Sequence, residues 1–72
     1  MDEAATIDAV LETLPITEFA TALRMSEHSV RGAALVAVRR ALREGGSIRS
    51  IRHVMTTAIE RARSRLREEA AG

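Results

Sequence analysis

The stretch "ITEFATALRMSEHSVR", residues 16–31, decides how this chain folds. Ile16, Phe19, Ala20 and Leu23 recur at i, i+3, i+4 and i+7, the spacing of one face of a short helix. The polar break that follows ends in Ser26, a good N-cap because its hydroxyl accepts from a free backbone N–H of the next first turn. Beyond it Val30, Ala34, Ala37, Val38 and Ala41 share a second helical face. Gly45 and Gly46 close that helix, since glycine tolerates the left-handed conformation of a helix end. Residues 23–26 are therefore either a tight turn between two helices or the interior of one continuous helix.

The flanks carry the same periodicity. Upstream, "TIDAVLETL" sets Ile7, Val10, Leu11 and Leu14 on one stripe, and Pro15 suits the first turn of the helix after it. Downstream, Ser47 caps a segment running from about residue 48 to 69. There Ile48, Ile51, Met55, Ala58 and Ala62 alternate in steps of three and four, a seam like that of a coiled coil. At 1.5 Å per residue this helix is about 33 Å long. Its last part, "ERARSRLREEAAG", is densely charged and is expected to project into solvent. The expectation is an all-α single domain over residues 1–72, four helices with a long C-terminal one.

At 72 residues a single domain is the ceiling, and a chain this small buries only about 60% of its unfolded surface. Phe19 is the one aromatic residue, and alanine supplies much of the apolar content, so the core reads as thin. Burial against a second copy is the natural remedy, and a homodimer joined through the Ile48–Ile51–Met55–Ala58–Ala62 seam is expected. Cysteine is absent, which excludes disulfides and thiolate metal sites. The acidic opening residues do not form a signal peptide and no apolar run is long enough for a membrane span, so a cytoplasmic protein is expected.

The net charge of +1 hides a strong polarity. Residues 1–30 carry six acids and one arginine, a balance of −5, whereas residues 31–72 carry ten arginines and four glutamates, a balance of +6. All basic residues are arginine, whose guanidinium matches phosphate better than an ammonium does. His28 and His53 fall on different helices without a carboxylate pair at metal-ligand spacing, and Ser26 and Ser29 are accounted for by capping. No enzyme, metal or cofactor is expected.

The packing rules of a helix-turn-helix fit residues 16–42. A small residue must sit where the second helix crosses the first (Ala20), followed three positions on by an apolar one (Leu23). An inward apolar residue in the turn (Met25), a cap (Ser26) and a branched apolar residue four further on (Val30) complete it. With these residues in place, the segment resembles the helix-turn-helix of LuxR/GerE-type regulators and region 4 of bacterial sigma factors. Glu18, Phe19, Ala20, Leu23, Met25, Ser26, Ser29, Val30 and Arg31 follow the run common to both. The resemblance implies a four-helix module whose third helix reads duplex DNA and whose fourth dimerises. It also implies glycine-like backbone at Arg24, where those families usually hold glycine.

Position in such a motif assigns roles. Glu27, His28, Arg31 and Leu35 would face the major groove, Arg31 toward guanine and Glu27 toward the cytosine amino group. Arg24 and Ser29 would lie near phosphates, with Arg39, Arg40 and Arg43 extending that contact. A second reading stays open: a helical protein-interaction module without DNA binding, such as an antiactivator, antitoxin-like adaptor or docking domain, that steers by its charge polarity and binds another protein such as RNA polymerase or a regulator.

Overall fold

The computed structural model describes residues 2–71 and places in them, in order, α1 (Glu3–Glu12), α2 (Ile16–Leu23), α3 (Glu27–Glu44) and α4 (Ile48–Ala71), with no strand among the described residues. The protein is all-α, as expected. Local chemistry sets each boundary. Asp2 Oδ1 accepts from the Ala4 N–H at 3.1 Å and starts α1. Ser26 Oγ accepts from the Ser29 N–H at 3.0 Å to start α3, and Ser47 Oγ from the Ser50 N–H at 3.3 Å to start α4. Gly45 ends α3 at φ 73°, and the Gly46 N–H closes back on the Ala41 carbonyl at 2.7 Å.

Two details near Pro15 differ from the periodic reading. Leu14 belongs to the apolar stripe but lies past the end of α1, because the residue before a proline is disfavoured in helical backbone. It is still buried, its N–H donating to the Leu11 carbonyl at 3.1 Å as the chain turns onto the core. Pro15 is the N-cap of α2 rather than a residue of its first turn.

α1 and α2 both lie along α3, and α4 packs chiefly along α2, while α3 and α4 diverge from their connection and meet over less of their length. The core gathers Ile7 and Leu11 from α1, Leu14 from the turn, Ile16 and Ala20 from α2, Val30, Ala34 and Val38 from α3, and Met55 from α4. Ile59 and Ala62 continue the buried line along α4.

That line corrects the expected dimer seam. Met55 and Ala62 are buried within the single chain, and Ile48 and Ile51 pack against the same core. Met55 and Ala62 are thus spent on intramolecular packing, whereas Ile48, Ile51 and Ala58 are half-buried. α4 is nevertheless too long for the body it packs on. Its 24 residues span about 36 Å, and residues 65–71 are exposed. The radius of gyration of 13.9 Å therefore exceeds the roughly 11 Å of a spherical domain of this length. Among the described residues no helix is long and apolar enough to cross a membrane.

Val36 and Val38 test the face assignment of α3. Val38 is 0% exposed and Val36 58% exposed. Val38→Ala is expected to lose about 2 kcal/mol, the transfer of two methyl groups plus the cavity they leave. In a thermal melt followed by circular dichroism that is a fall of roughly 10 °C, whereas Val36→Ala should stay within about 0.5 kcal/mol of the parent. Equal losses at both positions would contradict the packing of α3.

Candidate nucleic-acid interface

The connection between α2 and α3 is a tight turn. Arg24 stands at φ 55° and ψ 45°, the one non-glycine residue with positive φ among those described. Its N–H donates to the Thr21 carbonyl at 3.3 Å, and the Met25 N–H to the Ala20 carbonyl at 2.9 Å, which satisfies the end of α2. Two residues later Ser26 caps α3, its carbonyl accepting from the Val30 N–H at 3.1 Å. The turn thus brings Val30 down onto Ala20, both buried. Met25, expected to point inward, is 45% exposed; Ala20 and Val30 close the inside of the turn and leave its thioether outside.

Two residues expected to read bases are turned toward their own chain. The Thr17 hydroxyl donates to Glu27 Oε1 at 2.9 Å, tying the start of α3 to the start of α2. Glu27 also places a negative charge in the first turn of α3, where the helix dipole favours it. Arg31 Nη2 lies 3.8 Å from Asp8 Oδ1 on α1, an exposed pair of little energetic weight. Leu35, one turn beyond Arg31, is half-buried against the core. The placement of α2 and α1 beside α3 accounts for the engagement of Glu27 and Arg31, and no periodic reading of α3 alone reveals it.

The outer face of α3 is free of these contacts. His28, Gly32, Arg39 and Arg43 stand at i, i+4, i+11 and i+15 and so share one line along the helix. All four are exposed. Arg40 is exposed a third of a turn from that line, and Ser29 Oγ accepts from the Ser26 hydroxyl at 2.7 Å. Residues 28–43 contain four arginines and no acid. Gly32 is the odd member, since glycine inside a helix costs about 1 kcal/mol relative to alanine. A Cβ added there would meet nothing within 4 Å, so packing within the chain does not call for glycine.

Two arginines outside the expected set join the turn. Arg65 borders a depression together with Arg24, Leu66 and Glu69, and Arg61 and Arg65 border the neighbouring one with Leu23 and His53. Their i, i+4 spacing is legible in "ERARSR", but their position beside the turn depends on α4 crossing α2. Acid collects on α1 and α2: Asp2, Glu3, Asp8 and Glu12 lie on or beside α1 and Glu18 on α2, all exposed. The arginines are carried mainly by α3 and α4, and the two signs meet where Asp8 faces Arg31 and where Asp2 borders the same depression as Arg52.

No protein-family model, curated protein or solved structure matches this chain.

The left-handed residue generates a stability prediction. Arg24→Gly removes a Cβ from a conformation that costs a non-glycine residue about 1 kcal/mol, offset in part by the greater freedom of glycine in the unfolded chain. The expected change in a thermal or urea melt is neutral to stabilising. A loss near 1 kcal/mol, the penalty of glycine within a helix, would show that residues 23–26 continue a helix in solution.

Proposed function

We propose that this chain is a small DNA-binding transcription regulator of the helix-turn-helix kind, with the outer line of α3 laid in the major groove. The observation that carries the reading is the line His28–Gly32–Arg39–Arg43, exposed, free of acid and presented by a tight left-handed turn. Arginine along such a face contacts phosphates on both walls of the groove, and the Gly32 backbone lets the helix approach the base edges closely. Arg40 and Arg24 extend the phosphate contact on either side. Arg31 is a weak link, because reading guanine would require it to leave Asp8; the pair is exposed, so the exchange costs little.

A homodimer belongs to this proposal, since two copies of α3 would read a two-fold site. Met55 and Ala62 cannot supply its interface, being buried in the protomer. The projecting end of α4 remains open to it. A second reading, protein recognition without DNA, is favoured by the engagement of Glu27 and Arg31 with Thr17 and Asp8.

Duplex binding titrated against salt separates the two. With Arg24, Arg39, Arg40 and Arg43 on phosphates, log K should fall with log salt at a slope of about −3 to −4, roughly −0.9 for each phosphate. Arg39→Ala or Arg43→Ala should each flatten the slope by about one. Gly32→Ala should raise thermal stability, by about 0.5–1 kcal/mol, and weaken DNA binding in the same sample. Failure of the folded protein to shift any duplex at low salt would exclude the DNA reading. Gly32→Ala with DNA affinity unchanged would exclude close docking of this face.

A further inference from the structure

An apolar groove lies between α3 and α4 where the two helices diverge. Phe19 and Val30 line it with Ala33 and Ala37 of α3 and Ile51 and Val54 of α4, and its volume is about 370 Å³. Val54 is 66% exposed, the most exposed of the large apolar residues. It also borders the next depression along α4, formed with Leu23, Ala58, Arg61, Arg65 and His53. The two depressions meet at Val54, which borders both, and α4 lines this trough from Ser50 to Arg65, about 22 Å, the length of a helix of about 15 residues. No acidic side chain lines either part. The trough is thus apolar along its floor and cationic at one end.

We propose that this trough binds an amphipathic helix of another protein, one that is apolar on one face and acidic on its flanks. Helix-in-groove recognition takes an apolar stripe at i, i+3, i+4 and i+7 onto such a floor. Carboxylates beside that stripe meet Arg61 and Arg65, and a basic helix is repelled by the same groups. A second copy of this chain is a poor occupant. Its dense acidic run lies on α1, whose apolar residues Ile7 and Leu11 are already buried in its own core. The proposal stands apart from the DNA reading, because Ala33 and Ala37 lie on a different side of α3 from the His28–Arg39–Arg43 line.

The test uses three fluorescent synthetic helices and no DNA. The first carries leucine at i, i+3, i+4 and i+7 with glutamate on the remaining faces; the second has lysine in place of glutamate; the third is a scramble of the first. Fluorescence anisotropy should show saturable binding of the acidic helix at least tenfold tighter than of the other two. Val54→Glu and Ala33→Glu, both at exposed positions, should each weaken it by more than tenfold while circular dichroism stays unchanged. Arg61→Glu with Arg65→Glu should transfer the preference to the lysine helix. Equal binding of the acidic and lysine helices, or binding that survives Val54→Glu and Ala33→Glu, overturns the proposal. So does sedimentation showing a dimer that Val54→Glu converts to monomer, which would assign the trough to a second copy.

Discussion

The reversal of the chain at Arg24 governs the placement of everything after it. A residue at φ 55° ends α2 after only eight residues, and the bond from the Met25 N–H to the Ala20 carbonyl holds that end closed. Val30 can then drop onto Ala20, where a larger side chain would hold the helices apart, and α3 departs at an angle that α1 fills on one side. On the other side α4 takes the flank of α2. Without the turn, residues 16–44 would make a single rod, and Ile16, Ala20, Val30 and Val38 would have no common core.

The same arrangement divides the charges of α3 by what neighbours it. Near its N-terminus, Glu27 and Arg31 are engaged with Thr17 of α2 and Asp8 of α1. Farther along, the arginines face solvent. Arg39, Arg40 and Arg43 have no ion-pair partner among the described residues, so their field is available to a phosphate or carboxylate partner. Arg61 and Arg65, beside the turn at the opposite end of α3, form a second basic cluster. The attraction of either cluster for a charged partner is sensitive to salt.

Thin packing and the long last helix belong together. Small residues at Ala20, Ala34 and Ala62 let the helices approach closely, which compensates for the scarcity of large side chains. Met55, Ile59 and Ala62 of α4 are consumed by that packing. What stays uncovered is the cleft between α3 and α4, where Val54 is left in solvent.

Much of this was legible in the residues before any coordinate. Ser26, Ser47 and Gly45 mark helix ends by local hydrogen bonding and backbone preference, which depend on few neighbours. The apolar spacing named most of the core, and the resemblance to helix-turn-helix modules anticipated the left-handed Arg24. Periodicity put Leu14 rightly in the core but wrongly inside α1, because the proline after it ends the helix, and the motif turned Met25 inward where Ala20 and Val30 are the buried pair. A period tells that a side chain lies on a face without telling what covers it, so Met55 and Ala62 read as interface when they are buried within the same chain. Four helices, their ends and the division of charge along the chain follow from local preference and composition alone. That Arg31 meets Asp8, that Arg61 and Arg65 lie beside the turn, and that α3 and α4 leave an apolar trough depends on how distant helices cross, which no local preference encodes.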